Sequence, residues 1–362
     1  MPKKIKKIQS SLQKQLLNSL VKKGGLAYAM ARTGHFALQA APLPLVDLIA
    51  TGKRRPIPKE FAGNFQELLQ KIKTLHENDL ENIANKIYPI DVLFPESILK
   101  HALRYPKLVL DAFRAARRRD QNKAHEFNAE AHDFLDELPD YYKRNFHFQT
   151  GGYLSEISAE LYEHQVEVLF RGAADAMRRL ILPPLKVHLM GSAGEGLNLL
   201  EIGCGTGRMT RNLAYAFPKA KITAVDLSPV YLAKARKNLS GFKNINFVQG
   251  GGEELSFKDK KFDAVVSCFL FHELPLEIRK KVMNESIRVL KPKGFVGLVD
   301  SIQKNDAAKF QWALKQFPID FHEPFFKNYV QHPMEELMKE LKLVNISSDA
   351  GLLSKAVAGV KP

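Results

Sequence analysis

The stretch Asn198-Leu-Leu-Glu-Ile-Gly-Cys-Gly-Thr-Gly-Arg208 constrains the fold of this chain more than any other. An apolar run from Leu197 to Ile202 reads as a buried strand, and it passes straight into Gly203-Cys204-Gly205-Thr206-Gly207. A helical pattern follows through Met209, Leu213 and Ala216. Strand, glycine turn and helix in that order build a nucleotide-binding edge on a parallel sheet. The glycines let the backbone turn tightly and approach a ligand with no Cβ in the way. The spacing departs from the dinucleotide pattern G-x-G-x-x-G, because Arg208 holds the sixth place and the third glycine comes one residue early. Glu201, two places before the first glycine, would repel a pyrophosphate. It suits a ligand with a cationic amine and a sulfonium.

Further blocks agree. Lys221–Asp226 reads as a second strand, and Asp226 lies 19 residues beyond Gly207, where a carboxylate can accept both hydroxyls of a ribose. Leu227 follows, placed to flank a base. A third strand, Ile245–Gln249, runs into Gly250-Gly251-Gly252-Glu253. A fourth, starting at Phe262, carries Cys268 and leads to His272; a fifth, Phe295–Asp300, follows the turn Lys291-Pro-Lys-Gly294. Leu343–Ser347 and Leu353–Val360 read as a closing hairpin. Block by block, over roughly residues 165–362, the chain resembles the class I S-adenosylmethionine-dependent methyltransferases.

That resemblance implies a doubly wound α/β fold, a seven-stranded Rossmann-like sheet, with S-adenosyl-L-methionine as cofactor. It implies cofactor contacts from Gly203, Cys204, Gly205 and Gly207, from Glu201 at the methionine end and from Asp226 at the ribose. Leu227, Gly251, Gly252, Glu253 and Cys268 complete the expected set. Relatives often carry Asp where this chain has Gly251, so Glu253 or a backbone carbonyl is expected to meet the adenine amine.

The length, 362 residues, exceeds one such core and allows two units. Residues 1–25 are expected to form a basic amphipathic helix or flexible tail, 26–150 a helical accessory or lid domain, and 151–362 the cofactor-binding domain. The two cysteines exclude a disulfide framework and suit a reducing cytoplasm; both read as small packed residues near the ligand. Residues 1–60 hold 12 Lys/Arg against 2 Asp/Glu, and the rest of the chain is nearly neutral. A whole-surface nucleic-acid funnel is therefore not implied. Ile5, Ile8, Leu12, Leu16 and Leu20 define one helical face, with Gly24-Gly25 as its expected end. A helix docked on its own protein, a peripheral membrane contact through residues 1–23, and a targeting peptide all stand open for it.

Residues 26–150 show helical spacing and no convincing strand. Pro42, Pro44, Pro56 and Pro58 are expected to break an early part into extended linkers, and Arg117-Arg118-Arg119 to be a solvated helix face or a phosphate site. Tyr141–Ser155 mixes aromatics, polar groups and glycines, as a ligand-facing loop does. It resembles, with the stretch on to Arg179, uncharacterised methyltransferase-like proteins sharing the pattern Asn-Phe-His-x-Gln-Thr. In class I methyltransferases the segment before the first strand often folds over the active site as a lid, which adds Gln149 and Tyr153 to the expected cofactor contacts; an aromatic interdomain plug is the other reading of this stretch. His147 and His272 are the candidate general bases, by the pKa of imidazole, and Tyr153 a candidate to orient substrate or shield a sulfonium.

No Asn-Pro-Pro-Tyr/Phe tetrad follows the fourth strand, which removes the usual amino-methyltransferase signature; Ser267-Cys-Phe-Leu270 stands there. His-x-x-x-His and Cys-x-x-Cys spacings are missing too, so no metal is expected. Phe317–Tyr329, rich in aromatics, is expected to cap the substrate pocket. Together these features point to methylation of a small, apolar or aromatic molecule. A methyltransferase for RNA or protein recruited by the basic N-terminus, and a non-catalytic S-adenosylmethionine-binding protein, are the alternatives.

Overall fold

Strand β1 (Asn198–Ile202) is an interior strand of a seven-stranded sheet ordered β3-β2-β1-β4-β5-β7-β6. Around it stand β2 (Lys221–Asp226), β3 (Ile245–Gln249), β4 (Phe262–Cys268) and β5 (Leu290–Ser301), all parallel. The closing hairpin, β6 (Val344–Gly351) and β7 (Ser354–Val360), joins β5 antiparallel through β7. This computed structural model describes residues 2–55, 59–306 and 308–362. The seven-stranded sheet expected from the sequence is the one found.

The apolar runs are continuous because both faces of the sheet are covered. Leu200, Ile202, Val265 and Val296 pack on one side against α-helical residues Val282, Met283, Phe326 and Tyr329. Leu199, Ala264, Val266 and Phe295 pack on the other against Leu182, Leu213 and Phe217. β1 pairs with β2 on one side and β4 on the other. The chain leaves β1 toward β2 and leaves β4 toward β5, in opposite directions, so a crevice opens at the carboxyl ends of β1 and β4.

Among the described residues eight α-helices precede the sheet: α1 (Pro2–Ala40), α2 (Leu43–Thr51), α3 (Lys59–Ala84), α4 (Ile98–Asp120), α5 (Ala129–Leu135), α6 (Glu156–Leu169), α7 (Ala174–Arg178) and α8 (Leu182–His188). Within the sheet domain α9 (Arg208–Ala216), α10 (Pro229–Asn238) and α11 (Leu276–Val289) connect strands, and α12 (Gln311–Phe321), α13 (Phe326–Gln331) and α14 (Met334–Glu340) lie between β5 and β6. Among the described residues no helix is long and apolar enough to cross a membrane.

Two expectations for the N-terminal region are corrected. The first helix does not stop at Gly24-Gly25 but runs on to Ala40. Gly25 is there for contact: a Cβ on it would overlap the side chain of Leu80 on α3. Pro42 and Pro44 do not extend the chain; they cap and open α2, where a missing N–H costs nothing. The side chains of Ile5 to Leu16, and Pro56 and Pro58, lie outside the described residues.

The helical region shares the sheet's core, with Leu80 and Ile83 of α3 in the same cluster as Leu199 and Phe217. Polar pins reinforce the seam. Arg179 donates from Nε and Nη2 to the two oxygens of Asp79 at 2.8 and 2.6 Å, and the Tyr88 hydroxyl donates to Asp79 at 2.7 Å. Both members of the pair are 3–4 % exposed, so neither charge has water to fall back on.

Candidate active site

The carboxyl ends of β1, β2 and β4 converge on one cavity. Glu201, on β1, is fully buried, and its Oε2 has no hydrogen-bond partner. Burial pushes its carboxyl up to about 8; the neighbouring Thr210 hydroxyl opposes this and the Asp226 charge adds to it. An orphaned carboxylate oxygen facing a cavity calls for a cation or a donor. The turn after β1 is fixed by Gly203 and Cys204, whose N–H groups donate to Val225 O at 2.8 and 2.9 Å. Asp226 closes it from β2: Oδ2 accepts from Gly205 N at 2.7 Å and Oδ1 from Ser228 N at 2.9 Å. Each oxygen keeps a lone pair for a further donor. Burial pushes Asp226 up to about 6, against the lowering effect of those two amides.

Gly205 shows what the glycines achieve. It sits at φ +54°, and a Cβ built there meets only Tyr231, at 4.0 Å, so the space above the turn is open for a ligand. On the opposite wall Gly251 and Glu253 form a unit. The Glu253 carboxylate folds back to within 2.6 Å of where a Gly251 Cβ would be, and Tyr141 donates to it at 2.7 Å. The missing Asp at 251 is thus matched by a carboxylate two residues on, lying over the glycine. Leu227, Gly252, Cys204 and Cys268 also line the cavity. Burial pushes both thiols well above their ordinary range, which leaves them neutral and inert.

Two expected cofactor contacts fall outside this cavity. Gly207, at φ +89°, starts α9 and packs on Leu239 and Ala235. Its glycine serves the close approach of helices. Gln149 is buried behind the wall, 3.5 Å from the hydroxyl of Tyr231, which itself lines the cavity.

Tyr141, Tyr142, Phe146 and Tyr153 of the expected lid line the cavity. Phe146 stacks on Tyr153 at 5.3 Å, Tyr153 meets Tyr231 edge-on at 5.2 Å, and Ser228 Oγ donates to Tyr153 O at 2.6 Å. The lid is anchored from α4. Arg118 donates from Nε to Phe148 O at 2.7 Å and from Nη2 to Thr150 Oγ1 at 3.0 Å. Arg119 pairs with Asp47 at 2.6 Å. The arginine run is therefore neither a solvated face nor a phosphate site at these two positions. His147 and Phe148 take φ +60° and +52°, conformations that cost a non-glycine residue free energy and persist only when the surroundings hold them.

His147 and His272 lie on a second, apolar pocket beside the first, lined by Leu169, Phe170, Phe317 and Phe326 among others. Tyr162, Phe269 and Glu273 belong to both. His272 Nδ1 is 2.6 Å from Asp300 Oδ1, and Asp300 Oδ2 accepts from Phe271 N and His272 N at 2.8 and 3.3 Å. That frames the ring and leaves Nε2 facing inward, 3.9 Å from Glu273 Oε1. Burial works to lower the His272 pKa, but Asp300 together with Glu323 and Glu273 outweighs it and holds it up at about 9. His147 Nε2 stands 3.0 Å from Glu323 Oε1 and 3.5 Å from Glu273 Oε1. Those carboxylates likewise outweigh burial and raise its pKa to about 10. The Tyr153 hydroxyl donates to Glu273.

Sequence reasoning missed Glu273, Glu323, Arg178 and Glu163. Glu273 is next to His272, and Glu323 sits in the aromatic block 317–329; a carboxylate among so many apolar residues was the available signal. Glu163 joins α6 to the glycine turn, accepting from Thr206 Oγ1 at 2.6 Å and pairing with Arg178 at 3.1 Å and Arg208 at 3.2 Å. No local pattern announces that network.

Residues 199–294 match a family described as "Methyltransferase domain". Among curated proteins the chain is 35% identical over 128 residues to a fatty-acid O-methyltransferase of Mycolicibacterium smegmatis, covering 34% of this chain and 44% of that protein. It is 42% identical over 79 residues to a malonyl-[acyl-carrier protein] O-methyltransferase of Halalkalibacterium halodurans, covering 21% and 29%. With a demethylmenaquinone methyltransferase of Listeria welshimeri it shares 28% over 169 residues, covering 43% and 70%. The chain spans less than half the length of the first two. A solved S-adenosylmethionine-dependent methyltransferase from Aquifex aeolicus is 20% identical, with a TM-score of 0.39, covering 55% of this chain and 98% of that one.

Proposed function

From a C-terminal part that is a class I S-adenosylmethionine-dependent methyltransferase domain, preceded by a helical region, we propose that this protein methylates a small apolar or aromatic molecule. One observation carries the reading. The unpartnered buried carboxylate of Glu201 faces a cavity at the switch point of the sheet, and that cavity shares walls with an apolar pocket.

The residues present fit the cofactor. Glu201 would hold its cationic methionine end, and Arg178, on the same cavity, complements a carboxylate. Asp226 offers one free lone pair per oxygen to the ribose, and Glu253 offers an acceptor on the adenine side. S-adenosylmethionine supplies the methyl group already attached to a good leaving group. The protein's work is then alignment and exclusion of water. Phe146, Tyr153 and Tyr231 close the cavity from the lid side. The apolar pocket holds the acceptor with its reactive end toward Tyr162, Phe269 and Glu273, the residues common to both spaces. In its neutral form, which a pKa of about 9 makes the minor one at neutral pH, His272 takes the acceptor's proton at Nε2, with Asp300 fixing the ring from behind. Tyr153 places Glu273 through its hydroxyl. Two of the relatives are named for fatty-acid and demethylmenaquinone substrates, which supports an acceptor of this kind.

Calorimetric titration with S-adenosylmethionine, on wild type and Asp226→Ala, tests the cofactor half. Transfer of labelled methyl into the lipid-soluble fraction of a cell extract tests the acceptor half. Micromolar binding that is lost in the variant, followed by label in that fraction, is the expected result. Wild type that binds no cofactor at millimolar concentration would refute the reading.

A further inference from the structure

At Glu273, which lines both cavities, three ligand-bearing side chains come together from distant parts of the chain. His147 comes from the lid, Glu273 from the turn after β4, and Glu323 from the turn after α12. One donor atom from each lies within 4.8 Å of the others. His147 Nε2 is 3.0 Å from Glu323 Oε1 and 3.5 Å from Glu273 Oε1. Donors bonded at about 2.0–2.2 Å to one ion sit about 3 Å apart when they are adjacent in its shell. The two distances from His147 are those of neighbouring positions around one centre.

Glu323 supplies an independent reason to place an ion there. It is 2 % exposed, and neither carboxylate oxygen accepts a hydrogen bond. His147 Nε2 is near but out of hydrogen-bonding alignment, and it too has no hydrogen-bond partner. A buried carboxylate with both oxygens unsatisfied is costly unless something compensates it. The cluster carries two carboxylates against one imidazole, so it has an excess of acceptors. Glu273 is the better supported member, held by the Tyr153 hydroxyl as a ligand is held by its outer partners.

We infer that His147, Glu273 and Glu323 bind one divalent first-row transition cation at the junction of the two cavities. An imidazole beside two carboxylates suits Zn2+, Mn2+, Fe2+ or Co2+ better than Ca2+ or Mg2+, which take oxygen ligands. Three protein ligands leave positions open, and the apolar pocket lies on that side, since His147 and Glu273 line it. An oxygen of a bound molecule can complete the shell there. The site goes beyond the methyl-transfer reading and does not depend on it, because Glu201 and Asp226 belong to the cofactor cavity alone.

Cobalt is the probe. The metal-free full-length protein is titrated with Co2+ and followed by its visible absorption, alongside Glu323→Gln and His147→Asn. One Co2+ per chain in wild type, bound at least tenfold more weakly by both variants, is expected. Circular dichroism reports whether the variants keep their fold. Anomalous difference density in wild-type crystals soaked with Co2+ locates the ion without any variant, and a peak between the three side chains is expected. Absence of stoichiometric binding, equal binding in folded variants, or a peak elsewhere only would overturn the site and leave a buried ion-pair cluster. S-adenosylmethionine titrated into the same sample separates this failure from failure of the cofactor reading.

Discussion

The two sides of the candidate site are built in different ways. The cofactor side comes from the carboxyl ends of adjacent strands, and its key groups sit within short contiguous segments: 201–205, 226–228 and 250–253. Much of it is backbone, with Gly203 N, Cys204 N and Gly205 N already committed to partners. The acceptor side is made by tertiary structure alone. His147, His272, Glu273, Asp300, Glu323 and the phenylalanines around them come from the lid, two strand ends and the α12–α13 block. A local pattern can specify the first kind of surface. The second kind exists only once the helical region has docked.

The largest expected effect tests that dependence on docking. Asp79→Ala leaves Arg179 buried and unpaired, and should lower stability by about 3–5 kcal/mol. Thermal melts should show one transition, shifted down; two separate transitions would mean that the helical region and sheet are not one cooperative unit. Next, the two sides should separate in kinetics. Asp226→Ala should weaken S-adenosylmethionine by about 100-fold, roughly 2.7 kcal/mol. His272→Ala should lower kcat by about 100-fold while leaving cofactor affinity within about threefold. Joint loss of cofactor binding in His272→Ala would erase the distinction. Smaller again, Phe317→Ala should raise the acceptor KM by about tenfold, since removing an aromatic wall costs on the order of 1–2 kcal/mol of binding. Unchanged KM would move the acceptor elsewhere.

The smallest effect sharpens the cofactor side through pH. Burial holds Glu201 at about 8, above its ordinary range, so at pH 7 the free protein keeps a proton there. That raised pKa favours the folded state at low pH, and the advantage fades as pH rises from the unfolded value near 4.5 through about 8. A cationic ligand prefers the ionised form, so its binding at pH 7 should expel that proton. Calorimetry in buffers of different ionisation enthalpy reads the expulsion, and Glu201→Gln should show less by up to one proton per site. Equal release from both proteins would place the cation away from Glu201.

What was legible in the sequence follows the same division. The apolar runs at 197–202, 221–226 and 262–268 could be read because buried parallel strands need them. The closing hairpin and the switch-point site followed. Gly24-Gly25 misled because a glycine reads as a helix end, and only the packed Leu80 shows that Gly25 is a contact. Pro42 and Pro44 misled because the same residue that breaks a helix also starts one. Gly207 was placed in the ligand cavity by its spacing, yet it serves α9 against α10. Glu323 was invisible as a site residue because its partners, at 147 and 273, lie far away in sequence. No spacing rule for ligands reaches across three separate loops.

Tyr162, Phe269 and Glu273 face both cavities. A wall with two sides makes the occupants thermodynamically reciprocal: whatever factor one changes the other's equilibrium affinity by, through those three residues, the other must return. One measured synergy, donor upon acceptor, therefore fixes its converse.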